Sequence, residues 1–271
     1  MNSGKALSQP LVTSDSMKIF AFIPARYQSR RFPGKPLALI AGKPMIQHVY
    51  ERASRCPELS QVVVATDHDT IFNQVEAFGG KAVMTRSDHH SGTDRICEAA
   101  GKVGLSGEDI IVNIQGDQPI FNPAMISTLL GPLLADSSTH MTTLMHKIHR
   151  EEDIRNPNHV KVVTDNGGYA LYFSRCPIPF YRDRNGFGKT HFKHLGFYAY
   201  RKDFLVQFTN LQVSTLESAE RLEQLRALEY GFRIKVLETA YTSQDVDVPE
   251  DIERVEKALQ ESSLRRDAHA G

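Results

Sequence analysis

Charge of one sign is missing from this chain: 32 Lys and Arg are matched by 32 Asp and Glu across 271 residues. A balanced field gives no reason to expect nucleic acid or an anionic membrane surface as a partner. Any anion the protein handles must be held locally. Cysteine is scarce as well. Cys56, Cys97 and Cys176 are widely spaced, odd in number and fit no CxxC or zinc-ligand pattern, which reads as reduced packing thiols in a reducing compartment. No apolar run approaches the roughly 18 residues that cross a bilayer, so a soluble protein is expected. Internal repeats, low-complexity blocks and a long Pro/Gly/Ser linker are also missing, which argues for one compact body. The first strand is followed by neither GxGxxG nor GxxxxGK[ST], and this disfavours a NAD-dependent dehydrogenase.

What is present is an alternation of strand-length apolar runs with helix-period segments. KIFAFIP (18–24) and QVVVATD (61–67) read as strands, with helices expected over 44–54, 70–78 and 93–103. DIIVNIQGDQP (109–119) is a further strand running into a Gly-Asp turn. From about residue 140 the runs MTTLMHKI, HVKVVTD, YALYFSR and HLGFYAYR suggest an antiparallel or mixed extension, read as a second lobe. A helical stripe of Leu216, Leu222, Leu225 and Leu228 with Gly231 as its stop follows, then the strand IKVLET and a last helix from Pro249. The expected fold is α/β, with a mostly parallel, Rossmann-like core and a mixed or antiparallel second lobe. Residues 1–16, polar and ahead of a second methionine, read as a disordered tail; 17–260 form the domain, and 261–271 fray.

Directly after the first strand lies PARYQSRRFPGKPL (24–37), carrying Arg26, Arg30, Arg31 and Lys35 around a Pro33-Gly34 turn. Turn N–H groups, a guanidinium fork and an ammonium together suit a triphosphate, and strand C-termini are where open α/β sheets bind ligands. Composition alone also allows a solvated basic loop.

This loop, followed by GKPMIQHVYERA, ATDHD, SGTDR, NIQGDQP, NPNHVKVVTD, YALYFSR, KHLGFYAYR, LEQLRALE and DVPEDIERV, closely resembles the CMP-Kdo synthetase (3-deoxy-manno-octulosonate cytidylyltransferase) family over roughly residues 17–259. The resemblance implies a nucleotidyltransferase core, with the nucleotide-binding half at about 17–139, a sugar-binding and dimerisation lobe at about 140–233, and a closing strand and helix at about 234–260. It implies a nucleotide site of Pro24, Ala25, Arg26, Lys35, Ser91, Gly92, Thr93, Arg95 and Gln115, with SGTDR and Gln115 helping to read cytosine. By itself SGTD reads as a helix N-cap.

The resemblance also pairs Asp117 and Asp247 as ligands of Mg²⁺, a cation that takes one or two carboxylates plus phosphate oxygens and water. Alone, each aspartate reads as a turn or cap residue. Two positions depart from the family pattern: Gln118 stands where Glu is frequent and Val248 where Thr is. Asp245 and Asp247 form a DxD string, whose two side chains share a face if extended. Arg175 is expected to grip the sugar carboxylate, and His194, Tyr198, Glu223 and Gln224 to contact sugar hydroxyls. His89, His90, His48, His140, His146 and His149 lack metal-ligand spacing and read as surface or loop residues.

The implied reaction is attack by the anomeric hydroxyl of Kdo on the α-phosphorus of CTP with loss of pyrophosphate, using Arg26, Lys35, Asp117 and Asp247 as the catalytic set. Implied partners are CTP, an eight-carbon keto-acid sugar and a second copy of the chain, in the cytoplasm of a lipopolysaccharide-making bacterium. Competing readings are the same chemistry on 8-amino-Kdo or a sialic acid, a GT-A-like glycosyltransferase using the DxD string, and a silent nucleotide binder.

Overall fold

Strand β1 (Ile19–Ala25) is apolar on both faces because both are covered, and it lies in parallel register between β4 (Gln61–Thr66) and β6 (Ile110–Asn113). The computed structural model describes residues 17–28, 32–183 and 190–267. The tail 1–16, Arg30, Arg31 and residues 268–271 lie outside the described residues. On one side β5 (Ala82–Met84) extends the parallel sheet beyond β4. On the other, β10 (Phe192–Arg201) runs antiparallel to β6 and to β7 (Met141–Lys147), and β11 (Lys235–Glu238) closes that edge parallel to β7. β8 (Lys161–Thr164) and β9 (Ala170–Ser174) branch from β10 as an antiparallel pair. The expected second lobe is therefore continuous with the first: ten-residue β10 hydrogen-bonds to both halves, giving one mixed sheet.

Alternation along β1 divides the core. Ile19, Ala21, Ile23 and Ala25 face the apolar cluster under α1 (Met45–Ala53), α2 (Asp69–Ala77) and α4 (Ala124–Ala135). Phe22 faces the cluster under α3 (Gly92–Lys102), α6 (Lys202–Thr209) and α8 (Gln224–Glu229). A short helix α5 (Glu151–Arg155) precedes β8. The small hairpin of β2 (Leu39–Ile40) and β3 (Lys43–Pro44) joins Val246 and Val255 in a third apolar cluster, so the chain's end is pinned beside the loop that follows β1.

Three boundaries differ from the sequence reading. Pro44 stands just outside α1 as its N-cap. The single leucine-striped helix is broken into α7 (Thr215–Glu220) and α8, because Arg221 between them adopts a left-handed φ of 55°. Leu222 and Leu225 are buried, but Leu216 is 37% exposed and leaves the stripe. The last helix, α9 (Asp251–Asp267), continues past Gln260, so the chain does not fray there.

Candidate active site

The loop after β1 turns at Gly34, whose φ of 69° suits a residue without Cβ; its N–H donates to the Tyr27 carbonyl at 2.9 Å. Tyr27 in turn stacks on His68, ring centroids 4.2 Å apart. A 3₁₀ turn over Lys35–Leu37 then delivers Lys35 into the cleft. Lys35 Nζ donates to Asp117 Oδ2 at 2.7 Å and to the Val246 carbonyl at 2.8 Å, and lies 3.9 Å from Asp247 Oδ1. Backbone pairing brings the two aspartates together: Gln244 N–H donates to Ile120 O and Val246 N–H to Asp117 O, each at 2.9 Å. The Asp251 carboxylate accepts from the Asp247 N–H at 2.8 Å and fixes the turn into α9.

Where the walls meet, Gly116 has no room for a Cβ and Gly92 little. A Cβ on Gly116 would stand 2.9 Å from the Pro24 carbonyl oxygen, and one on Gly92 would stand 3.1 Å from Pro24 Cγ. Pro24, Ala25, exposed Arg26, Lys35, Gly92, Gln115 and Asp117 line one cleft.

The SGTDR segment follows its N-cap reading. Ser91 forms a capping box with Asp94, with hydrogen bonds of 3.0 and 3.2 Å. Thr93 is buried and donates to Glu223 Oε2 at 2.5 Å. Arg95 borders the cleft, but its guanidinium is committed to Asp67 at 2.8 Å, Thr85 at 2.5 Å and the Arg86 carbonyl at 3.3 Å. Neither Thr93 nor Arg95 is therefore free to read a base through its side chain. His89 and His90, which the sequence reading put among surface and loop histidines, line the cleft instead.

Thr93 couples this wall to the expected sugar side. Glu223 Oε1 and Gln224 Nε2 are buried without a hydrogen-bond partner among the described residues, an acceptor and a donor on successive residues. Burial pushes the Glu223 carboxyl up, against the hydrogen bonds from Thr93 and Ser91. His194 and Tyr198 project from β10 with ring centroids 5.4 Å apart. Burial lowers the His194 pKa to about 3, and its neutral ring bonds Thr143 Oγ1 through Nε2 at 2.9 Å. Burial, and then the nearby Glu223, push the Tyr198 phenol up.

Arg175 is a correction. Its guanidinium donates to the carbonyls of Glu220 at 2.7 Å, Pro157 at 3.1 Å and Arg221 at 3.4 Å, and its backbone N–H to Glu220 Oε2 at 2.9 Å. The fork thus ties the end of β9 to the break between α7 and α8 and is not presented to a carboxylate ligand. The DxD string also divides. Asp245 is directed inward against Gln118, burial raising its pKa, while Asp247 faces Lys35 with its side chain half exposed. Among the described residues no group of three or more His, Cys, Asp and Glu is set to hold a metal. The Asp117 and Asp247 pair nonetheless fits a cation, since the Lys35 ammonium already sits among their oxygens as a stand-in charge.

The chain matches the family described as Cytidylyltransferase over residues 20–239. The 3-deoxy-manno-octulosonate cytidylyltransferase of Desulfatibacillum aliphaticivorans is 55% identical over 245 residues, covering 90% of this chain and 100% of that protein. The protein of the same name from Geobacter sulfurreducens is 52% identical over 252 residues, with 90% and 100% covered. Among solved structures, CMP:2-keto-3-deoxy-manno-octonic acid synthetase complexed with CTP is 45% identical with a TM-score of 0.85, covering 90% of this chain and 99% of that one. A 4-diphosphocytidyl-2C-methyl-D-erythritol synthase at 13% identity and TM-score 0.61, covering 90% and 98%, shares the fold.

Proposed function

The chain belongs to the 3-deoxy-manno-octulosonate cytidylyltransferase family, and on that premise we propose that it transfers the CMP moiety of CTP to the anomeric hydroxyl of Kdo with release of pyrophosphate. The observation that carries this reading is the convergence of Lys35, Asp117 and Asp247 at the end of a cleft whose walls are Pro24, Gly92 and Gly116.

Transfer at phosphorus asks chiefly for alignment and for positive charge where oxygens become more negative. Arg26 and Lys35 supply fixed charge on the loop after β1, next to Pro24, where a Cβ on Gly116 would be crowded by the Pro24 carbonyl. Glu223 Oε1 and Gln224 Nε2 meet the hydroxyls of the sugar, whose oxygens accept and whose O–H groups donate. Asp117 and Asp247 would hold magnesium, which would supply positive charge and Lewis acidity beside the phosphates.

No helix among the described residues is long and apolar enough to cross a membrane. A cytoplasmic homodimer serving lipopolysaccharide synthesis is part of the proposal; the exposed apolar side chains of Leu171, on β9, and Phe180, in the segment after it, support a partner surface. The comparisons do not support the glycosyltransferase reading, and the inward turn of Asp245 removes its two-carboxylate motif.

Labelled CTP tests the assignment. With α-labelled CTP, magnesium and Kdo, the label should appear in a sugar phosphodiester, and with γ-labelled CTP in pyrophosphate. Label in inorganic phosphate or in CDP would sink attack at the α-phosphorus.

A further inference from the structure

One wall of the cleft has lost the side chains expected to read a base. Ser91 closes its capping box, Thr93 is bound to Glu223, and Arg95 is paired with Asp67. That wall therefore offers no uncommitted guanidinium to phosphate, unlike the one carrying Lys35 and Asp117. What the segment ahead of α3 presents to the cleft is His89, with His90 next in the chain.

His89 is built into place. Its side chain is only 7% exposed, and its Nε2 is hydrogen-bonded to Glu98 Oε2. Glu98 also accepts from the Arg86 N–H at 3.1 Å and pairs with Lys102 at 2.8 Å. Burial opposes charge on Glu98, but the bonds from Lys102, His89 and Arg86 outweigh it and hold the carboxyl at about 2. A permanent carboxylate accepts hydrogen bonds and never donates them. Toward that carboxylate the ring presents an Nε2 proton, and in the ring's neutral form Nδ1 is then the acceptor. Among the described residues Nδ1 makes no hydrogen bond.

We infer that His89 is a specificity residue for the nucleotide base, its Nδ1 accepting a hydrogen bond from the exocyclic amine of cytosine, with Glu98 as the residue that positions it. The inference rests on the CTP reading above. A uracil places a carbonyl oxygen where cytosine carries that amine, so two acceptors would face each other and both would go unpaired. The same geometry that welcomes CTP thereby excludes UTP.

Equilibrium binding of CTP and of UTP in magnesium, measured calorimetrically on wild type, His89→Ala and Glu98→Gln, tests it. Wild type should prefer CTP. His89→Ala should weaken CTP about tenfold while changing UTP less than twofold, the loss expected for one hydrogen bond to a base edge. Glu98→Gln keeps the shape but releases the fixed tautomer, and should narrow the CTP to UTP ratio by a smaller factor. A folded His89→Ala with an unchanged ratio overturns the inference; if that variant does not fold, an unchanged ratio in Glu98→Gln does so. Wild type binding neither nucleotide would overturn the cytidylyltransferase reading as well, whereas normal CTP binding with an unmoved ratio removes His89 alone.

Discussion

Lys35 Nζ lies 2.7 Å from Asp117 Oδ2, joining the loop after β1 to the turn after β6 through one charged hydrogen bond. With Asp247 Oδ1 at 3.9 Å, the ammonium sits beside both carboxylates of the pair proposed to hold magnesium. Lys35→Met should therefore tighten magnesium or manganese binding in the absence of CTP, by roughly tenfold, while lowering kcat/KM for CTP by about 10²-fold or more, the scale seen when one charge-stabilising donor is removed. Titration of manganese followed by electron paramagnetic resonance reads the first effect. Weaker metal binding in the folded variant would show that Lys35 helps to hold the metal and does not stand in for it.

Gly116→Ala should damage the cleft without touching any charged group. The new Cβ would lie 2.9 Å from a backbone oxygen that cannot rotate away, so the Pro24 segment must shift. Loss of about 1 to 3 kcal/mol in stability, the usual cost of overpacking, is expected together with weaker CTP binding. An unaltered melting temperature and unaltered CTP affinity would mean that the loop gives way freely.

The hydroxyl of Thr93 donates to Glu223 at 2.5 Å, linking the α3 wall to the proposed sugar side. Thr93→Val keeps the volume but removes the donor, and should raise KM for the sugar about tenfold with little change in CTP binding. A rise confined to CTP would relocate Thr93 to the nucleotide site.

Arg175→Ala separates two roles. Removing a guanidinium that satisfies three carbonyls should destabilise the fold by about 1 to 3 kcal/mol, with sugar KM nearly unchanged in the folded fraction. A large rise in sugar KM at unchanged stability would restore Arg175 as the carboxylate grip.

His194 makes stability depend on pH. Burial lowers its folded-state pKa from 6.5 to about 3, so between those values the unfolded chain binds more protons and stability rises with pH. The contribution is full above about pH 6.5 and is lost as pH falls toward 3, at up to about 1.4 kcal/mol per pH unit. Between pH 7 and 5 wild type should lose roughly 2 kcal/mol that His194→Gln does not. Urea midpoints for the two proteins at both pH values check this, and parallel curves would contradict it.

The sequence shows the frame of the fold because β1, β4 and β6 are apolar runs with turn signals at their ends, and α1 to α3 have clear periodicity. α4 gave no such signal: it is apolar nearly all round and contains Pro132, so neither periodicity nor composition marks it. The cluster of Lys35, Asp117 and Asp247 was legible through motif resemblance, since pairing of residues 244–246 with 117–120 is a long-range event that no local pattern encodes. The commitments of Arg175, Thr93 and Arg95 were hidden for the same reason. Their partners Glu220, Glu223 and Asp67 are distant in sequence. His89 carries no metal-ligand spacing; its signal in the sequence is an acid nine residues on, which α3 brings to its ring.

The most direct test of the central claim is pyrophosphate release from CTP and magnesium by the purified protein, with Kdo, 8-amino-Kdo and N-acetylneuraminic acid supplied in parallel. The account predicts rapid release with Kdo, matched mole for mole by CMP-sugar. No release with any of the three sugars, from protein that binds CTP, would contradict it.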